Sequence, residues 1–214
     1  DPSTGVLTEW TVPTAGSLPW GISVGDGGLA YFTEDNGNKI GRLNTYFNRF
    51  EEWTVPTLDA HPLGIAVYGD LVYFAERNGN KIGRLDPSTG VFTEWTIPTA
   101  NSGPATIAVH LGLLYFTEFD GNKIGRLDPS TGVFTEWTIP TANSKPFDFT
   151  PLVQEGVEQG YFTENAGNKI GRLDVAPVST RTTLVSGTSS SVTTTSQTSV
   201  ASSTWISSTS VTSA

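Results

Sequence analysis

The chain has 214 residues, a formal net charge of -9 and a sequence pI of about 4.6. An acidic surface repels phosphate backbones, which argues against nucleic acid as a partner, and the absence of cysteine excludes disulfides and thiolate metal sites. No apolar run reaches the length of a membrane span, and the absence of methionine, including at position 1, marks a processed product or a fragment.

In chain order, residues 1–13 (DPSTGVLTEWTVP) read as the turn and last strand of a repeat whose complete copies follow. The tetrapeptide IGRL begins at Ile40, Ile82, Ile124 and Ile170, and tryptophan recurs at Trp10, Trp53, Trp95 and Trp137. Residues 79–102 and 121–144 are identical. A period near 42 residues is that of a four-stranded propeller blade. The second copy shows the strands plainly: LGIAVYG (63–69), LVYFAE (71–76), KIGRLD (81–86) and VFTEWTI (91–97). Gly, Asn, Asp and Pro clusters separate them, and no segment keeps helical periodicity over three turns.

The turns carry the most repeated letters. Asn36-Gly37 and its equivalents Asn78-Gly79, Asp120-Gly121 and Ala166-Gly167 predict two-residue hairpin turns with positive φ at both positions, Ala166 being the misfit. That register sets Glu34 opposite Lys39, and the recurring glutamates Glu34, Glu76, Glu118 and Glu164 are expected to pair with the facing lysines. It also lays Phe32 over Gly41. In DPSTG the glycine takes a left-handed position, which Asn48 fills in the first copy. Arg42, Arg84, Arg126 and Arg172 should pack along the third strand against aromatics such as Tyr31 and Tyr73, and the tryptophans should wedge between blades.

The last copy, from about Pro146, has three strands. Either residues 1–13 or TRTTLVS (180–186) completes it. From residue 175 onward, 24 of 40 residues are Ser or Thr, with Arg181 the only charge. That composition reads as a low-complexity stalk, O-glycosylated or able to add a strand. The predicted architecture is therefore all-β: a propeller of about four four-stranded blades over 1–174 and a Ser/Thr-rich tail over 175–214.

Chemistry is sparse. The loops leading into the inner strands vary where the rest repeats, and Trp20, Asp59, His61, Lys145 and Phe147 there are the ligand-binding candidates, for a glycan or a peptide. His110 is expected at the opposite rim. No phosphate loop, calcium loop or Ser-His-Asp set is present.

YFTEDNGNKIGRL and FTEWTIPTANSGPATIAV resemble the repeats of the streptogramin B (virginiamycin B) lyase family over about residues 1–174. The resemblance implies a propeller, seven-bladed in the enzymes, which open a cyclic depsipeptide lactone by elimination with a histidine base, acidic residues and bound magnesium. Carried onto this chain, His61 would be the base, with Glu34, Glu76 and Glu118 as acidic residues able to hold the cation. About four repeats stand here instead of seven, with only two histidines. The residues by themselves favour a non-enzymatic extracellular or cell-surface structural or adhesive propeller. It would need no cofactor or metal and would self-associate through terminal strands into filaments.

Overall fold

The computed structural model describes residues 5–154 and 157–175, the side chains of 153–158 excepted. The tail and the 180–186 candidate strand lie outside the described residues.

Blade 1 comprises β1 (Pro19–Val24), β2 (Leu29–Glu34), β3 (Lys39–Asn44) and β4 (Arg49–Thr54). Blade 2 comprises β5 (Pro62–Tyr68), β6 (Leu71–Glu76), β7 (Lys81–Asp86) and β8 (Val91–Thr96). Blade 3 comprises β9 (Pro104–His110), β10 (Leu113–Glu118), β11 (Lys123–Asp128) and β12 (Val133–Thr138). Blade 4 comprises β13 (Pro146–Gln154), β14 (Val157–Glu164) and β15 (Lys169–Val175). Each sheet is an antiparallel meander, four-stranded in blades 1 to 3 and three-stranded in blade 4 among the described residues.

The predicted register holds, with Glu34 opposite Lys39 and Phe32 opposite Gly41. A Cβ on Gly41 would lie 2.2 Å from Phe32 Cζ, so the ring fills the space a side chain would need. Gly83, Gly125 and Gly171 face Phe74, Phe116 and Phe162 in the same way. Gly90 and Gly132 are left-handed (φ 71° and 73°), and Asn48 takes that conformation in their place (φ 49°).

The hairpin turn differs from expectation. The loop has four residues, and the left-handed position is the asparagine after the glycine: Asn38, Asn80, Asn122 and Asn168, φ 52° to 58°. The glycine is needed for room. A Cβ on Gly79 or Gly121 would lie 2.6 Å from Oε2 of Glu76 or Glu118. Ala166 is therefore no misfit, because its position needs no positive φ. The asparagine side chain secures the chain leaving the blade. Asn80 Nδ2 donates to the carbonyls of Ile97 and Thr99, and its Oδ1 accepts from the amide and hydroxyl of Ser102.

The core lies between blades. Ile82 and Tyr73 of blade 2 pack with Ile107, Leu114, Phe116 and Leu127 of blade 3. Equivalent clusters join blades 1 to 2 and 3 to 4. Trp95 packs on the joint, as expected, and lies against Gly132 of the next blade. The arginines meet the tyrosines as expected, Arg42 donating to Tyr31 Oη at 3.3 Å, and stack on tryptophan as well: Arg42, Arg84 and Arg126 lie 5.3, 5.6 and 5.4 Å from the rings of Trp53, Trp95 and Trp137.

The blades form an open arc. β1, β5, β9 and β13 pack in succession, and among the described residues no packing of that extent joins β13 to β1. Residues 6–13 enter no ladder and do not complete blade 4. They lie beside blade 1, where Trp10 Nε1 donates to Asn48 Oδ1 at 2.9 Å and Thr14 Oγ1 donates to Glu52 Oε2 at 2.9 Å.

Candidate functional site: a variable rim on a repeated scaffold

One rim of the arc is built from the β2–β3 type hairpin loops and the links leading into the inner strands. In each link the residue before proline is left-handed: Leu18, His61, Gly103 and Lys145, φ 49°, 51°, 58° and 52°. Its carbonyl accepts from the amide of the first hairpin-loop residue of the same blade: Asp35, Arg77, Phe119 and Asn165. Both columns differ from blade to blade within an otherwise duplicated sequence. The fold thus sets the non-repeating residues side by side.

Their side chains meet across blade boundaries. His61 Nδ1 lies 2.7 Å from Asp35 Oδ1 of blade 1. Lys145 Nζ donates to Asp120 Oδ1 at 2.8 Å. The cations of Arg77 and Lys145 lie 5.3 and 5.1 Å from the Phe119 ring centroid. Phe119 and Phe147 meet edge to face at 6.3 Å. At Gly103 the space beside the backbone is taken by Asp120: a Cβ there would sit 2.3 Å from Asp120 Oδ2. Of the sequence candidates, His61, Lys145 and Phe147 join this array. Trp20, 56% exposed, stands at the start of β1 and makes none of these contacts. Asp59 shares its left-handed conformation with Gly16, Asn101 and Asn143, which marks a turn position.

Sequence reasoning missed Asp35, Arg77, Phe119 and Asp120. They were legible as a second variable column beside the pre-proline one, but hairpin-loop residues read as turn filler.

The predicted glutamate–lysine pairs do not form. Lys39, Lys81 and Lys123 turn instead to Glu52, Glu94 and Glu136 of the outer strand, at 2.8, 2.7 and 2.9 Å. Each also donates to a link threonine: Thr14, Thr57 or Thr99. Glu34, Glu76 and Glu118 are fully buried, and neither oxygen of any of them has a hydrogen-bond partner. Burial, reinforced by Glu94 and Glu136, pushes Glu76 up to about 7 and Glu118 up to about 8. Burial and Glu52 raise Glu34 as well. Burial opposes ionisation of the outer glutamates too, but lysine and threonine hydrogen bonds outweigh it and hold Glu52, Glu94 and Glu136 below the ordinary carboxylate range.

The resemblance implied that these acids hold a cation; the structure buries Glu34, Glu76 and Glu118. They lie in separate blades beneath the rim, and among the described residues no three His, Asp or Glu side chains gather where a metal ion could sit. His110 ends β9 at the opposite rim, as expected, with Nε2 buried and unpartnered. Two shallow clefts of about 480 and 250 Å³ also lie on that side, lined by residues such as Arg42, Phe47 and Asp70.

The sequence profile described as the Virginiamycin B lyase family matches residues 2–207. The chain belongs to the virginiamycin B lyase family. Virginiamycin B lyase from Staphylococcus aureus shares 41% identity over 79% of this chain, with a TM-score of 0.73. A catalytically inactive histidine-to-alanine variant of that lyase, solved with quinupristin, matches with the same figures. A streptogramin B lyase shares 36% identity over 77% of this chain, with a TM-score of 0.71. The chain spans only 56% and 54% of the length of these enzymes. The designed protein Ika4, 8% identical with a TM-score of 0.60, shares the fold alone. No curated protein sequence matches significantly. The fold is thus the β-propeller architecture of these lyases.

Proposed function

We propose that this chain is a non-enzymatic recognition propeller of the extracellular or cell-surface space that binds a peptide-like ligand on its variable rim. The observation that carries this reading is the convergence of the non-repeating residues. Arg77, Phe119, Lys145, Asp120 and Phe147 form one continuous array, while the scaffold beneath them is duplicated almost letter for letter. Two cations on an aromatic ring suit a ligand with carboxylates and rings of its own. Specificity on a repeat scaffold resides where the repeats differ.

A second reading, depsipeptide elimination, is favoured by the His61–Asp35 contact. A carboxylate on Nδ1 fixes the imidazole tautomer and leaves Nε2 as a base. Such a base removes a proton from the carbon beside the one bearing the ester oxygen. The freed electron pair becomes a C=C bond, and the oxygen departs as a carboxylate. Burial of Glu34, Glu76 and Glu118 weighs against this reading.

Quinupristin and a panel of acidic, aromatic-containing peptides test both readings. Recognition predicts saturable binding, weakened roughly tenfold or more by Phe119→Ala or Lys145→Ala, with the ligand recovered intact. Elimination predicts a product of unchanged mass and altered retention time, lost in His61→Ala. Absence of binding to every probe would overturn the recognition reading.

A further inference from the structure

The two ends of the arc display surfaces that every interior joint buries. At the blade 4 end, Ile170 is 70% exposed, whereas Ile40, Ile82 and Ile124 at the same repeat position are at most 1% exposed. Tyr161 is 37% exposed where Tyr31, Tyr73 and Tyr115 are buried. At the blade 1 end, Ile22 is 70% exposed where Ile65, Ile107 and Phe149 are buried. Ile170 and Tyr161 belong to the face a blade turns toward its successor, and Ile22 belongs to the face turned toward its predecessor. The ends are therefore complementary by construction.

The polar groups match as well. In blades 1 to 3 the third-strand lysine is held by a link threonine and an outer-strand glutamate. In blade 4 Lys169 holds Thr141 at 2.8 Å, but no described glutamate reaches it. Among the described residues β15 also has no outer-strand partner of the kind that pairs with β3, β7 and β11. Residues 6–11, VLTEWT, differ from the outer strands β8 and β12, VFTEWT, at one position. They are docked on blade 1 without a ladder partner, with Trp10 against Asn48 just as Trp53 lies against Gly90, the next blade's equivalent of Asn48.

We infer that residues 6–11 of one copy of this chain add to β15 of a second copy as its missing outer strand, joining blade 4 of one to blade 1 of the other head to tail. The interior ladders fix the register. Arg84 pairs with Thr93 and Ile82 with Trp95, so Arg172 meets Thr8 and Ile170 meets Trp10 of the other copy. Glu9 then supplies the carboxylate that Lys169 lacks, as Glu94 does for Lys81. Added edge strands gain affinity from backbone hydrogen bonds and register from side chains. Two copies bring eight blades together, within the range of closed propellers.

The absence of native cysteine makes the test clean. Thr8→Cys and Arg172→Cys chains, each carrying one thiol at an exposed site, are purified separately, mixed and oxidised. A disulfide dimer from the mixture and not from either chain alone is the expected result. Light scattering on the unmodified chain should then show a dimer or larger assembly. Lys169→Glu should weaken association roughly tenfold, and an added Glu9→Lys should restore it, an outcome that general destabilisation cannot produce. A monodisperse monomer with no crosslink would overturn the inference. So would a Thr8→Cys/Arg172→Cys double variant that forms only an intrachain disulfide, because the strand would then close its own ring.

Discussion

Ile82 and Ile170 occupy the same place in the same tetrapeptide, yet one is fully buried and the other is 70% exposed. Asn80 and Asn168 share a left-handed backbone, but the interior asparagine is half-buried with four hydrogen bonds and the terminal one is exposed. The interior joint and the blade 4 end thus compare one set of side chains with and without its neighbour. In a repeat array the sequence of a blade sets which way each side chain points, while the adjacent blade supplies the energy.

The sharpest break in this comparison is Ile82→Ala against Ile170→Ala. Removing a buried isoleucine side chain costs about 2–5 kcal/mol, whereas an exposed one shifts stability by about 0.5 kcal/mol or less. Urea unfolding at low protein concentration, where chains are separate, should show that gap. Equal losses at both sites would mean that something already covers the blade 4 face.

The buried glutamates sharpen it next. Glu118 binds its proton with a value of about 8 in the fold against an ordinary 4.5. Stability from this group is therefore complete below pH 4.5 and falls as pH rises toward 8, by up to about 1.4 kcal/mol per pH unit, then levels off. Glu76 does the same up to about 7. Glu136 acts oppositely: its lowered value contributes stability above the ordinary carboxylate range that is lost on acidification. Glu118→Gln should leave stability near pH 4 within about 0.5 kcal/mol of the parent and raise it at pH 9 by about 1–3 kcal/mol. A parallel pH profile in the variant would refute a buried, proton-holding carboxyl.

Asn80→Ala against Asn168→Ala comes third. Loss of the interior clasp leaves the Ile97 and Thr99 carbonyls and the Ser102 amide without that partner, at a cost of about 1–2 kcal/mol. The exposed Asn168 should cost a fraction of that by the same unfolding assay.

The repeat made blade count, strand limits and hairpin register legible, because period-two apolar strands and fixed turn letters recur at one spacing. Asn36-Gly37 misled because two demands leave the same dipeptide behind. A glycine can supply positive φ or supply space, and here the carboxylate of Glu34 takes the space while Asn38 takes the φ. Lys39 misled because it lies between two acidic strands, and register alone cannot say whether Glu34 or Glu52 captures it. The solvated outer strand wins, since pairing there avoids burying a charge. On the rim, His61, Lys145 and Phe147 were visible as variation among repeats. Their contacts with Asp35, Asp120 and Phe119 cross between blades, so strand pattern within one blade carries no trace of them.

The smallest expected effect concerns the lysine clasp. Lys81 and Glu94 meet at 2.7 Å with side chains 27% and 18% exposed. A double-mutant cycle of Lys81→Met and Glu94→Gln should give a coupling of about 0.5–1 kcal/mol, the upper end of the range for partly solvated pairs. Lys169 has the threonine of the clasp without the glutamate, so Lys169→Met in separate chains should cost less than Lys81→Met. The two losses should converge as protein concentration rises, because association would add Glu9 to Lys169 and complete the fourth clasp. If the difference persists at every concentration, the terminal lysine never acquires a carboxylate, and the blade 4 end differs from the interior in kind rather than in occupancy.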